Sequence, residues 1–242
     1  MKRSITAIQD SRLNTPPKSI RAFKKAIIFF KILSSDGLAI ARYGWSAPKK
    51  NQLLYTNPHQ VYRQHSKKDI SSVFQCIVDG KWDQQPTNKY KQLDLFQILK
   101  KRIHGEHTWA AAGAYERMER LIHKHGRFDG CFKKEHIYSR YADIDKLICE
   151  AKATRRLKTQ RELTFFNFRE TGGIMVVINR RGEICKLGNG NHRLMIAQLL
   201  DLPAVPVRVY AVHPQAIENG AWKYLLQKSE TLAAEQGPQK CL

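Results

Sequence analysis

No two cysteines of this chain stand in a C-x-x-C pair. Cys76, Cys131, Cys149, Cys185 and Cys241 are odd in number and widely spaced. That pattern excludes a disulfide framework and a zinc ribbon. It predicts reduced thiols, the state of a cytoplasm. Long apolar runs are also missing: the longest early one, Ala26 to Phe30, is far too short to span a membrane. No small-residue cleavage site follows the basic start, so no signal peptide is expected. Internal repeats and low-complexity segments are absent, which argues against solenoids and tails of biased composition. Acids are scarce, with 21 Asp and Glu against 42 Lys and Arg, a formal net charge of +21.

The charge excess implies polyanionic partners: nucleic acid, anionic lipid or phosphorylated ligands. Residues 1–70 hold fourteen Lys or Arg and three acids. Tyr43, Trp45, Tyr55 and Tyr62 lie among these cations, a mixture that supports single-strand stacking but reads better as ordinary core aromatics. No helix-turn-helix or RNA-binding signature is present. Residues 1–19 read as a mobile basic tail. Ile20, Phe23, Ile27 and Phe30 recur at helical spacing, with Arg21, Lys24, Lys25 and Lys31 between them, and Ser34-Ser35-Asp36-Gly37 is expected to end that helix. Such a basic amphipathic helix over 20–33 either packs on its own domain, the preferred reading, or lies on a membrane surface.

The middle of the chain is helical in pattern. Leu53 to Tyr62 suggests a short strand entering a turn at Asn57-Pro58, and Ile77 to Asp83 a compact piece turning at Gly80. Leu93, Phe96, Leu99 and Ile103 predict one helix, and Tyr115, Met118 and Ile122 a second that stops at Gly126. Ile144, Leu147 and Ile148 predict a third, opened by Asp143. His104-x-x-His107 and His123-x-His125 lack further ligands at metal-site spacing and read as helix-surface histidines. After Leu163 the pattern changes. Ile174–Ile178 is a β-branched run, as in a buried strand. Asn179-Arg180-Arg181-Gly182 is a turn, and Glu183 to Leu187 alternates as a half-buried strand does. Asn191 to Leu202 predicts a helix and Val205 to Tyr210 a strand, with Pro206 near a strand start or sheet edge.

Between strand and helix lies Gly188-Asn189-Gly190-Asn191-His192-Arg193. Glycines let a ligand approach the main chain. Asn191 is an N-cap residue type, which places His192 and Arg193 in the first turn. Unpaired first-turn N–H groups and the helix dipole stabilise an anion there. Arg193 offers a planar donor fork, and His192 a donor that exchanges protons near neutral pH. Glu170, just before the Gly172-Gly173 hinge, is the candidate carboxylate to hold Mg²⁺ or act as a general base. A purely structural alternative is a tight turn with Arg193 on an internal carboxylate and Glu170 paired to Arg169. His213 is a further candidate to reach the loop.

Residues 169–174, 187–197 and 205–207 together resemble the ParB/sulfiredoxin-like superfamily. Gly190, His192 and Arg193 match the sulfiredoxin loop that holds ATP, and the same position in ParB proteins serves CTP and DNA binding. Asn191 stands where sulfiredoxins carry their reactive Cys, so the resemblance implies no sulfiredoxin chemistry. Thr56-Asn57-Pro58-His59-Gln60 is similar to the segment that opens many ParB-like domains. Gly80-Lys81-Trp82-Asp83, Asp129-Gly130-Cys131 and Arg140-Tyr141 resemble an uncharacterised bacterial branch. The resemblance implies an α/β (α+β) domain over 51–214: a small mixed sheet with a largely helical insertion at about 62–160. Residues 20–50 then form a helix and linker, and 215–242 a C-terminal helix and tail. It also implies nucleotide binding, with ATP or CTP and Mg²⁺ as cofactors and a phosphotransferase or nucleotide hydrolase as the activity. The alternative is a non-catalytic, nucleic-acid-associated binding protein.

Overall fold

The β-branched run Ile174–Ile178 forms strand β4, and every residue of it is buried. Its neighbours explain why. A computed structural model describes residues 18–61, 63–65, 70, 74–85, 88–89, 93–105, 107–164, 167, 170 and 172–236; for 18–25, 63 and 88–89 it describes the backbone alone. The described strands are β1 (Leu53–Thr56), β2 (Arg63–His65), β3 (Asn88–Lys89), β4, β5 (Ile184–Leu187) and β6 (Val205–Val212). They form one sheet in the order β1-β6-β4-β5-β2-β3. β4 runs parallel to β6 and antiparallel to β5, β5 is parallel to β2, and β1 and β3 pair antiparallel at the two edges. Alternate residues of β4 therefore serve two cores. Ile174, Val176 and Ile178 join the main core with the helices, while Met175 and Val177 meet Val78, Trp82, Cys185 and Leu187 on the other face.

The helices are α1 (Lys18–Tyr43), α2 (Asp94–His104), α3 (Ala114–His125), α4 (Lys134–Thr154), α5 (Gln160–Leu163), α6 (Asn191–Leu199), α7 (Pro214–Glu218) and α8 (Ala221–Glu235). The expected mixed α/β architecture is present, and so are the predicted sheet segments after Leu163 with their connecting helix. α6 packs on β4 and against α2 and α4, so the middle of the chain lies over the start of α6. Pro206 sits at the second position of β6, opposite Tyr55 of the edge strand. Asn57 accepts the His59 N–H at 2.8 Å and caps a short 3₁₀ turn, as the Asn-Pro signal implies.

Several expectations are corrected. α1 does not end at Ser34–Gly37. The Ser34 hydroxyl bonds back to the Phe30 carbonyl at 3.0 Å without ending the helix, and buried Asp36 accepts the Lys50 N–H at 3.0 Å, a tertiary contact that offsets part of the cost of a mid-helix glycine. Nor does the described part of α1 hide its apolar stripe: Ile27, Ile28, Phe29, Phe30, Leu33 and Leu38 are exposed, Phe30 at 66% and Leu38 at 74%. Trp45 is 85% exposed and is no core aromatic, and Tyr62 lies outside the described residues. The tail expected over 1–19 lies outside them up to residue 17, and Lys18 and Ser19 already belong to α1. Asp143 lies mid-helix, because α4 begins nine residues earlier at Lys134. In α2 the buried stripe is Leu95, Ile98, Leu99 and Ile103, with Leu93 outside at the N-cap. Within the largely helical insertion over 62–160, β2 and β3 join the sheet. Among the described residues no helix is long and apolar enough to cross a membrane. Cys76, Cys131, Cys149 and Cys185 are in no disulfide among the described residues, and Cys241 lies outside them.

Candidate functional site

The loop after β5 is shaped by close packing. Gly190 has φ of 88°, and a Cβ there would lie 2.6 Å from the Ile174 Cα; at Gly188, with φ of 56°, a Cβ would lie 2.9 Å from the Met175 Cε. At Gly190 the contact is with backbone, so only glycine satisfies both the left-handed angle and the approach; at Gly188 the neighbour is the mobile end of a methionine side chain. Gly190, not Asn191, is the N-cap of α6, and no side chain caps the helix. Asn191, His192 and Arg193 thus occupy the first turn, where amide N–H groups lack intrahelical acceptors.

Beneath the loop lies a group that the sequence reading missed. Lys186 is fully buried, and its Nζ donates to the carbonyls of Leu187 at 3.3 Å, Gly188 at 2.6 Å and Asn189. Three ammonium donors meet three loop carbonyls. Burial, assisted by Arg208, pushes the Lys186 pKa down to about 7. β5 is thus buried throughout rather than half-buried.

The loop forms one wall of a cavity of about 650 Å³. Gly188 to Arg193, with Gln160 and Gly172, line one side. The other side comes from the middle of the chain: Leu95, Arg117, Phe128, Asp129, Gly130, Arg140, Asp143, Ile144 and Leu147. Asp129 and Gly130 both have positive φ, at 46° and 84°, between the paired residues Phe128 and Cys131. This is the signature of a two-residue hairpin turn, for which Asp-Gly is a favoured sequence. The turn presents Asp129 to Arg140 of α4, whose Nε donates to Oδ2 at 2.9 Å. His192 Nδ1 lies 3.7 Å from the same oxygen.

Burial lowers the His192 pKa to about 4; Asp129 opposes the shift, while Arg140 and Arg117 reinforce it. The ring is therefore neutral at pH 7 and does not titrate near neutrality as expected from its residue type. Arg193 donates through Nη2 to the Lys158 carbonyl, and among the described residues its buried Nε has no hydrogen-bond partner. Burial pushes the Arg193 pKa below the usual arginine range, against the pull of Glu170, Glu150 and Glu162.

Glu170 does not line the cavity. Its carboxylate is buried and accepts the N–H groups of Gln160 at 2.7 Å and Arg161 at 3.1 Å. Thr159 and Glu162 complete the same helix start with a capping box. Both Glu170 oxygens are thus engaged at the N-terminus of α5, which favours an anion there. That arrangement makes Glu170 a structural anchor beside Arg193 rather than a free general base or Mg²⁺ ligand. Arg169, its alternative partner, lies outside the described residues. The carboxylates that do line the cavity are Asp129 and Asp143.

His213 caps α7 instead of reaching the loop: its Nδ1 accepts the Gln215 N–H at 3.3 Å, and Nε2 lies 3.1 Å from the Gly80 carbonyl. Among the described residues no group of three His, Cys, Asp or Glu is placed to hold a metal ion. Arg117 carried no sequence signal distinguishing it from Arg120; its place in the wall follows from the packing of α3 on α4. Comparison with known proteins found no matching family model, curated protein or solved structure.

Proposed function

We propose that this chain binds a nucleotide or another phosphate-bearing ligand in the cavity between the 188–193 loop and helices α2 to α4. One observation carries the reading: an uncapped helix start and three arginines, Arg117, Arg140 and Arg193, line the same cavity. An anion there gains the helix N–H groups and charge-assisted hydrogen bonds together. Leu95, Phe128, Ile144 and Leu147 supply an apolar surface for the rest of the ligand. The loop's resemblance to the ParB/sulfiredoxin-like superfamily supports the same ligand class, ATP or CTP.

A phosphotransferase or nucleotide hydrolase is the enzymatic form of this reading. Such chemistry needs positioning and charge neutralisation more than covalent steps. Neutral His192 is the proton acceptor at the loop, with Asp129 beside it, and Glu170 positions α5. Mg²⁺ commonly binds through one or two carboxylates plus substrate phosphates, and Asp129 and Asp143 are the carboxylates at hand. Bound there, the ion would supply further charge neutralisation.

A thermal-shift screen of nucleotides, with and without Mg²⁺, tests the reading, because a ligand of the folded state raises the melting temperature. Arg193→Ala is expected to weaken the ligand found by about 1.5–3 kcal/mol in calorimetry. No saturable binding by the wild type would sink the proposal, and unchanged affinity in the variant would remove Arg193 from the site.

A second reading concerns α1. Its exposed Ile27, Phe29, Phe30, Leu33 and Leu38 lie on a helix of basic sequence, with Lys31 also exposed. Contact with an anionic membrane surface fits that combination.

A further inference from the structure

Arg117 stands in the wall of the cavity that the middle of the chain provides. Among the described residues it pairs with no carboxylate. Its guanidinium lies 5.7 Å from the Phe128 ring centroid. The ring contact holds it in place while leaving its charge unneutralised. Arg140 stands on the same wall and uses Nε for Asp129. A guanidinium has five N–H donors, and among the described residues the Nη groups of Arg140 make no hydrogen bond. Arg140 neutralises Asp129, and Lys146 lies 3.3 Å from Asp143, so the two wall carboxylates are both answered. The field of both arginines reaches His192 on the loop wall, where each disfavours the protonated ring.

The loop and Arg193 form a cradle for one phosphate, and nothing in that cradle requires a second cationic wall. We propose that Arg117 and Arg140 form a second anion subsite facing the loop. The ligand then carries two linked anionic groups, a pyrophosphate unit as in a nucleoside di- or triphosphate, rather than a single phosphate. This rests on the phosphate-ligand reading above and adds which ligands it takes. The pyrophosphate bridges two walls from distant parts of the sequence, the loop before α6 and the α3–α4 pair. The middle of the chain thereby becomes part of the binding site rather than a neutral insertion.

Calorimetric titration of the full chain with orthophosphate and with pyrophosphate, at one ionic strength and without Mg²⁺, tests this. The wild type is expected to bind pyrophosphate at least about tenfold tighter than orthophosphate, the gain of one charge-assisted contact. Arg117→Gln should erase that preference and leave orthophosphate within about twofold, while Arg193→Gln weakens both ligands. Arg117→Lys keeps the charge without the planar fork and should retain part of the preference; it also replaces Arg117→Gln if that variant melts early. Pyrophosphate binding that is indifferent to Arg117, or an equal loss for both ligands, overturns the second subsite and leaves the phosphate-ligand reading standing. If neither ligand binds the wild type, both proposals fall.

Discussion

Lys186 lies in β5 with no exposed surface, and its ammonium holds the carbonyls of the loop that faces the cavity. The alternation of Glu183 to Leu187 implied that its polar members face water. Lys186 does not, because β5 is an inner strand between β4 and β2 and the following loop folds back to offer acceptors, while Glu183 before the strand is half-buried. Arg193 and the two glycines, by contrast, were legible as single residues, since a strand–glycine–helix order already constrains their surroundings. The neutrality of His192 was not, because it depends on burial and on Arg140 and Arg117, contributed by the middle of the chain. The lowered pKa of Lys186 has a consequence for stability. Between about 7 and its ordinary 10.5 the unfolded chain binds more protons at this site than the folded one. Its contribution therefore opposes folding fully below pH 7 and fades as pH rises through that window, by about 1.4 kcal/mol per pH unit. The difference in unfolding free energy between wild type and Lys186→Met, followed by urea denaturation from pH 6 to 10, should shift towards the wild type as pH rises. A difference that is flat in pH would show that Lys186 keeps its ordinary pKa in the fold.

Elements were legible where periodicity alone decides them and misread where distant contacts do. β4 and β6 appear as their apolar runs predict, and the stop of α3 at Gly126 follows from glycine. The start of α4 was misplaced because residues 134–142 mix buried Ile137 and Tyr141 with charged neighbours, which hides the stripe. α1 was cut short because Ser-Ser-Asp-Gly reads as a break, whereas Asp36 answers the distant backbone of Lys50. Its exposed apolar side leads to an element-scale test. Sedimentation with vesicles containing phosphatidylserine should retain the wild type, and the paired change Phe30→Ser and Leu33→Ser should weaken retention by about tenfold or more through lost apolar burial. Both side chains are exposed, so the fold should be unaffected. Equal retention of wild type and variant would show that attraction to lipid is charge alone.

At the scale of the whole molecule, +21 charges guarantee attraction to any polyanion at low salt. Retention on DNA in dilute buffer therefore does not separate a nucleotide-binding protein from a nucleic-acid-binding one. The ionic-strength dependence does. A nucleic-acid surface neutralises several phosphates at once, and its affinity falls steeply as salt displaces the released counterions. A cavity holding one nucleotide makes fewer phosphate contacts, through the helix start and partly buried arginines, and is screened less. The two sites also draw on different residues: none of the described side chains of α1, the helix that carries Lys24, Lys25 and Lys31, lines the cavity, and His192 does. Neutralising those three lysines should leave nucleotide affinity within about twofold and flatten the salt slope of DNA retention by several counterions. His192→Ala should alter nucleotide affinity and leave DNA retention unchanged. One salt titration of both ligands on both variants measures all four effects. DNA bound tightly at physiological salt, with nucleotides bound nowhere, would replace the cavity reading with that of a nucleic-acid-associated protein.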